Sequence, residues 1–558
     1  MNWLLLLVVA YPAFYTLQCL TRIFREWRKA RVSGIPYMIV PLHPENLIWM
    51  IFSPMFQKQL ERHLPTWIYS RISMNIYGWE MRYKYKPVET HGSLLLLVNF
   101  YRTELTIMDP DVAHEVLKRP KDFPNSSTGN FIMGKFGPNL VTSRDAEWAR
   151  QRKFIAPNIN ERIAAAVWGE SLSQAKQMME HVAANGGKTN DTANGMKKIA
   201  INVLGAAGYG QPRPWDDDKA AESAPPGYHL TYMQAMRSLV ENLVEMAFLS
   251  PAVLSFPFWP KHIKDTGHAV NELKDLTKVL LDNERQHPSE KANIMKLLIE
   301  DEGAAEKKEN IKVGLYDEEI VGNLFVFSAA GFDTTANTMA YALALLAVHP
   351  QWQDWLTEEI DEVLPSDLDA ELDYNATYPK LVRVQALMYE TLRLFAPIVH
   401  LAKCTERPVP VTTSEGKEVV IPADTTIYVN SYALHHNPNV YEDPDAFDLE
   451  RWLAYPDAGD AEKPSGRPFI KPAPKGSFVP WSTGPRGCPG QKMSQVEFVS
   501  VFTQILRQYK IEVVLKDGES PEMGRRRAEE VMNDSAPKLT MQMSRPKDLN
   551  LRFVARKR

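Results

Sequence analysis

The sequence predicts a mainly α-helical protein with small β-sheets. Apolar residues recur at helical spacing over residues 161–181, 196–208, 228–249, 262–287 and 317–349. Strand-like runs are short and few: Leu94-Leu95-Leu96-Leu97-Val98, Val419-Val420-Ile421 and the stretch from Thr425 to Val429, each bounded by turn residues. A third feature stands apart at the N-terminus, where Trp3 to Leu20 is largely apolar.

The 558 residues would by length alone suggest several domains. A net charge of −4 indicates no nucleic-acid surface. Three cysteines, Cys19, Cys404 and Cys488, are too few and odd in number for a disulfide framework, which points to a reducing compartment. No internal repeat is evident.

A bilayer core needs roughly 20 apolar residues. The run from Trp3 to Leu20 barely reaches that, and Pro12 interrupts it. Arg22, Arg25, Arg28, Lys29 and Arg31 follow, a cluster expected to stay in the cytoplasm. A cleaved signal peptide carries its charge before the apolar run, so the order here predicts an uncleaved single-pass anchor. Residues 1–32 are read as anchor and basic flank, and 33–60 as a hinge (Ser33-Gly34-Ile35-Pro36) with a membrane-proximal segment. The second apolar patch, residues 41–56, either dips into the interface or packs on the remaining domain, 61–558.

Residues 79–108 read as a small β-sheet, and Asp109-Pro110 opens a helix over 111–117. Residues 123–140 read as a mobile Gly/Ser/Asn/Pro loop carrying Phe131, Met133 and Phe136. Trp148 and Arg152 share one helix face. An indole N–H and a guanidinium so placed can hold an anion, although such pairs are also ordinary surface packing. Residues 211–227 and 301–314 read as loops.

Asp317-Glu318-Glu319 starts the longest apolar helix, with a capping acid and first-turn anions. Inside it lies Ala330-Gly331-Phe332-Asp333-Thr334-Thr335. Gly331 costs about 1 kcal/mol in a helix interior, and a buried acid and two threonines need partners. The segment is either a kink made by Gly and back-bonded Thr or a functional site. In the second case a Thr hydroxyl bonds an oxygen ligand or water, and Asp333 relays protons from solvent. Leu324, Phe327, Ala330 and Phe332 are candidate pocket residues.

Glu390 and Arg393 share a helix face, a pair worth only about 0–1 kcal/mol if exposed. In Trp481-Ser482-Thr483-Gly484-Pro485-Arg486-Gly487-Cys488-Pro489-Gly490 a cysteine sits in a turn with a cation two residues before it and a helical stretch after it. Glycines permit close approach and positive φ. A helix N-terminus favours thiolate, which suits one axial metal bond. The bland alternative is a buried cysteine in a Gly-Pro loop.

Gly484, Arg486, Cys488 and Gly490 match the haem-ligand loop of the cytochrome P450 superfamily, Phe-x-x-Gly-x-Arg-x-Cys-x-Gly, with Trp481 in place of the usual Phe. The chain also resembles that family in Trp148-x-x-x-Arg152, Ala330 to Thr335, Glu390-x-x-Arg393 and Pro444-Asp445-Ala446-Phe447-Asp448-Leu449-Glu450-Arg451-Trp452. The resemblance implies a cytochrome P450 fold behind an N-terminal transmembrane anchor, with 61–558 as one haem-thiolate catalytic domain. It implies haem b, with its iron held by the Cys488 thiolate. Trp148, Arg152 and Lys403 would bind propionates, while Arg486 and Trp481 flank the ligand. Asp333 and Thr334 would serve oxygen activation, and Glu390, Arg393 and Arg451 would brace the core.

It further implies a lid around residues 228–287. Val419 to Val429 would form a hairpin around Pro422-Ala423-Asp424, and the turn at 533–537 would supply late substrate contacts. His435 and His436 are then ordinary polar contacts. Electrons would come from NADPH through a separate NADPH-cytochrome reductase, since no flavin or nicotinamide module fits in this length. The pattern looks like fungal microsomal members of secondary metabolism: a monooxygenase of the endoplasmic reticulum membrane, its catalytic domain cytosolic, acting on a small, partly apolar substrate. Oxidative coupling, desaturation or isomerisation is the alternative, and a non-catalytic haem sensor a third.

Overall fold

The computed structural model of the chain describes residues 3–40, 46–127, 130–215, 224–300, 314–456 and 466–556. The chain divides into two compact units. One comprises Met1–Ser126, Arg393–Ala446 and Ala473–Cys488; the other Ser127–Leu392, Phe447–Pro472 and Pro489–Arg558. The described part is mostly helical with small sheets, as the sequence predicts.

In the first unit, α1 (Trp3–Ser33) is one continuous helix, uninterrupted at Pro12. Its last turns dock: Ala30 and Ile35 are buried with the sheet residues, and the Glu26 carboxylate accepts a 3.0 Å bond from Thr103. Ser33 Oγ donates to the Ala30 carbonyl (2.7 Å) and accepts from the Ile35 N–H (3.2 Å), and Gly34 takes φ 75°. The expected hinge at 33–36 is therefore a packed corner. Among the described residues no helix is long and apolar enough to cross a membrane. α2 (Leu47–His63) starts on Asn46, which accepts from Trp49 N, and continues through Pro54.

Residues 79–91 are helical, in two turns Trp79–Tyr83 and Lys86–His91, where a sheet was expected. Trp79 is buried among Met74, Leu95 and Met108, so its hydrophobicity serves packing rather than strand alternation. The strand reading holds from residue 94. β1 (Tyr37–Ile39), β2 (Leu94–Val98), β3 (Thr103–Ile107), β4 (His400–Cys404) and β7 (Thr426–Asn430) make a sheet in the order β1-β2-β3-β7-β4. β1 runs parallel to β2 and β3 parallel to β7; the other neighbours are antiparallel. α3 (Pro110–Lys118) is capped as predicted, Asp109 accepting from Asp111 N and Val112 N with Pro110 opening the helix.

β5 (Val409–Thr412) and β6 (Glu418–Ile421) form their own hairpin. Val419 to Val429 is thus not a hairpin: Thr405 Oγ1 donates to the Pro422 carbonyl (2.6 Å), Asp424 takes φ 56°, and the chain turns out of one sheet into the other.

The second unit's helices include α4 (Asp145–Asn158), α5 (Glu161–Ala184), α6 (Thr192–Tyr209), α7 (Tyr232–Glu241), α8 (Lys261–Gln286), α9 (Asp317–Val348), α10 (Val382–Leu394, whose last two residues count with the first unit), α11 (Gln491–Gln508) and α12 (Pro521–Asn533). The stretch 228–249 is broken, not one helix: Asn242 Nδ2 bonds the Ser238 carbonyl (2.9 Å) and Leu243–Phe248 follows as a separate short helix. The N-cap of α9 is Tyr316, not Asp317. Glu319 supplies the capping, accepting from Tyr316 N (3.0 Å) while pairing with Arg150 and Gln151.

The loop expected to be mobile is pinned over 130–140. Phe136 packs on Phe325 with centroids 4.5 Å apart, Asn139 Nδ2 bonds the carbonyls of Met133 and Gly137, and Leu140 N donates to Asn323. The side chain of Phe131 and the stretches 216–223 and 301–313 lie outside the described residues. Near the C-terminus, β8 (Ser535–Pro537) pairs with β9 (Met541–Met543), so the expected turn at 533–537 is the end of α12 and a strand.

Candidate active site

The cysteine loop belongs to the first unit. Cys488 is exposed, and none of the three cysteines is in a disulfide. Its N–H donates to the Trp481 carbonyl at 2.8 Å, closing the loop on itself. Two residues carry the positive φ that the glycine content suggested, Ser482 (60°) and Gly484 (75°). Gly484 is needed twice over: besides its φ, a Cβ there would lie 2.7 Å from the Leu117 carbonyl at the end of α3. His435 Nε2 accepts the Val479 N–H (2.9 Å), and His436 Nδ1 faces the Tyr432 carbonyl (3.0 Å). Both histidines are the buried polar contacts expected, and burial holds His436 well below its ordinary pKa.

Lys403 on β4 is 5 % exposed. Its neighbour in the ladder is Ile427, and Nζ donates to Asn125 Oδ1 at 2.6 Å. Burial, and then the Arg486 guanidinium, push its pKa down from 10.5 to about 8. An anion beside this buried ammonium would relieve that penalty.

In the second unit, Trp148 and Arg152 lie one turn apart on α4, both half-buried. Arg150, on another face, makes a two-pronged pair with Glu319. Past its exposed first residues, Asp317 and Glu318, the long helix α9 is buried along nearly its whole length except at one place. There Ala330 is exposed, and Phe327, Gly331 and Thr334 are partly so. These positions fall at helical spacing, so one short accessible stripe interrupts a buried helix. A Cβ on Gly331 would meet nothing within 4 Å, and Thr334 Oγ1 donates back to the Ala330 carbonyl (2.7 Å).

Leu324 shares that face but is buried, and Phe332 is buried on another face beside Leu204, Tyr209 and Met236, so neither of these two pocket candidates belongs to the accessible stripe. Asp333 also turns inward, 7 % exposed. It accepts from Thr540 Oγ1, which in turn accepts from Asn337 Nδ2 (2.9 Å), and Lys197 Nζ lies 3.8 Å from its other oxygen. Lys197 and Thr540 escaped the sequence reading. Neither belongs to a motif, and Thr540 is 207 residues from its partner.

Glu390 is fully buried. It accepts from Arg451 Nε (3.2 Å), Trp452 Nε1 (2.8 Å) and the backbone of Asp448 (3.1 Å). Arg393, counted in the first unit, donates to the carbonyls of His435, Pro444 and Ala446.

A haem asks for one axial donor, cations for two carboxylates, and a face with room beside it. Within the first unit the exposed Cys488 and the Lys403–Arg486 pair fit the first two demands; the second unit, taken by itself, offers the accessible stripe of α9.

Comparison with known proteins agrees. The family model described as Cytochrome P450 matches residues 66–541. The chain is 33% identical over 535 residues to the phomenoic acid biosynthesis cluster cytochrome P450 monooxygenase of Leptosphaeria maculans, covering 89% of this chain and 90% of that one. It is 26% identical over 521 residues to the cytochrome P450 monooxygenase prx9 of Penicillium rubens, covering 88% of each. Among solved structures, the haem domain of cytochrome P450DA shares the fold, with a TM-score of 0.66 at 18% identity, over 94% of this chain and 99% of that one. The loop, the stripe, the family match and these relatives lead to one conclusion: this chain belongs to the cytochrome P450 family and is an oxidoreductase, a cytochrome P450 monooxygenase.

Proposed function

We propose that the chain is a membrane-anchored haem-thiolate monooxygenase of fungal secondary metabolism, with Cys488 as the axial ligand. The observation that carries the ligand assignment is the exposed thiol on a loop closed by the Cys488–Trp481 backbone bond, in the same unit as the buried Lys403 and Arg486. When bound, the haem supplies oxygen activation and the oxidising power. The protein's part is to hold and orient it. Lys403 and Arg486, within the first unit, would offer N–H donors to its carboxylates, and Trp481 closes the Cys488 loop through its carbonyl.

The stripe of Phe327, Ala330, Gly331 and Thr334 leaves room for a small ligand and gives the Thr334 hydroxyl something other than Ala330 to bond. Asp333 receives protons from solvent by way of the partly exposed Lys197, whose Nζ lies 3.8 Å from its carboxylate. Thr540 and Asn337 fix the carboxylate while this happens.

Electrons come from NADPH through a separate reductase. Residues 1–32 anchor the protein in the endoplasmic reticulum membrane, 33–60 lie next to it and 61–558 form the cytosolic catalytic domain. Support for the anchor is the apolar run within the 31-residue helix α1, with Phe14, Leu17, Leu20 and Phe24 exposed, and its basic flank. The relative named for phomenoic acid biosynthesis supports a small, partly apolar secondary metabolite as substrate.

The test is the carbon-monoxide difference spectrum of the reduced protein beside Cys488→Ser. A thiolate-type Soret band lost in the variant is expected. A band of histidine type, unchanged by the substitution in folded protein, would overturn the assignment.

A further inference from the structure

Away from everything described above, His229 in the segment before α7 meets His268 and Glu272 on α8. His268 and Glu272 are four residues apart and so share one helix face. The three ligand atoms lie within 4.8 Å of one another, and among the described residues this is the one group of three such side chains that converges so. Glu272 Oε1 is 2.6 Å from His229 Nδ1 and 3.9 Å from His268 Nδ1. The two imidazoles stack with centroids 3.8 Å apart at 24°.

The carboxylate is already oriented. Its second oxygen, Oε2, accepts the His229 backbone N–H at 3.0 Å, which turns Oε1 toward both rings. Such support of a ligand by a second hydrogen bond is what metal sites use to fix geometry. Glu272 is mostly buried, whereas the His229 side chain is 64% exposed, so an ion there would be open to water on one side.

We propose that His229, His268 and Glu272 bind a divalent transition-metal ion of the zinc type, and that the ion clamps the start of α7 to α8. Two imidazole nitrogens and one carboxylate oxygen, with water completing the shell, suit such an ion. Bonds of about 2.0–2.2 Å to these atoms hold them roughly 3.3 Å apart in a tetrahedron. The separations of 2.6 and 3.9 Å straddle that value; turning the His268 ring shortens the longer one, and a small turn of the exposed His229 ring lengthens the shorter one. His229 lies two residues before Thr231, which caps α7 by accepting from Gln234 N. Fixing His229 therefore fixes where that helix begins. The site does not involve the haem, and its test is independent of the oxygenase reading.

The test uses the full, haem-loaded chain without a histidine tag, washed with chelator and titrated with Zn2+ in a calorimeter. About one Zn2+ per chain is expected, with affinity falling at least about tenfold in each of His229→Asn, His268→Asn and Glu272→Gln. An unchanged carbon-monoxide difference spectrum would show that each variant is folded. Hydrogen exchange should slow at residues 224–234 when Zn2+ is added to the unsubstituted protein and not to the variants. Variants that match the unsubstituted protein in stoichiometry and affinity would mean an adventitious ion only and would overturn the site. Binding without slowed exchange would overturn the clamp.

Discussion

Lys403 gives the most quantitative prediction. Its folded pKa of about 8 lies below the ordinary 10.5, so its protonated form is disfavoured in the haem-free fold. The sign follows from proton counting: between these two values the unfolded chain binds more protons than the folded one, so stability rises with pH. Below about pH 8 the whole penalty is present, and it fades toward 10.5. A difference of about 2.5 units corresponds to roughly 3 kcal/mol at pH 7, falling to roughly 1–1.5 kcal/mol at pH 9.5. Lys403→Met removes the ammonium and keeps most of the chain's bulk. In haem-free protein it should therefore raise the unfolding free energy by about 3 kcal/mol at pH 7, and by less than half of that at pH 9.5. The proposed haem site would set a propionate against Lys403. The same substitution should there speed haem transfer to apomyoglobin. The assays are urea unfolding of stripped protein at the two pH values and the rate of haem loss. A destabilised or pH-independent haem-free variant would refute the burial argument. Unchanged haem loss would refute the propionate contact.

The remaining predictions concern the other elements of the site. Asp333→Asn removes the acid beside Lys197 but keeps an acceptor for Thr540; NADPH-dependent turnover should fall about 100-fold with a larger solvent isotope effect, and a change under twofold would exclude the relay. Glu390→Gln removes a fully buried carboxylate that accepts from Arg451, Trp452 and the Asp448 backbone, and denaturant unfolding should show a loss of about 3–5 kcal/mol. Gly484→Ala forces a side chain into positive φ, at about 1–2 kcal/mol, and against the Leu117 carbonyl; haem content per folded chain should drop, and full occupancy would refute the close approach.

Much of the chemistry is legible in local sequence because it depends on local spacing. Cys488 and Arg486 sit on one tight turn, Trp148 and Arg152 on one helix face, and Asp109-Pro110 at one helix start. In each case a few consecutive residues and backbone geometry decide the outcome. Strands β2 and β3 are legible for the same reason. The reading went astray where a neighbour distant in sequence decides. Residues 79–91 are aromatic and apolar enough for strand, yet form helical turns because Trp79 packs among Met74 and Met108. Val419 and Val429 flank a turn that looks like a hairpin, but their hydrogen-bond partners are Val411 on one side and Ile107 and Leu401 on the other. Asp317 looks like the cap of α9, yet Glu319 takes that task while gripping Arg150 and Gln151.

The sequence by itself determined the helical class, the tight turn that carries Cys488, the polar interruption of the long helix and the helix face shared by Glu390 and Arg393. Tertiary structure alone decided which way the interruption faces. Asp333 turns inward to Thr540 and Lys197, whereas Thr334 joins the accessible stripe. It likewise brought His229 to His268 and Glu272. Helical periodicity says which residues share a face, but only packing says what lies opposite that face, and an inward-turned charge or a convergent set of ligands exists only once that opposite surface is in place.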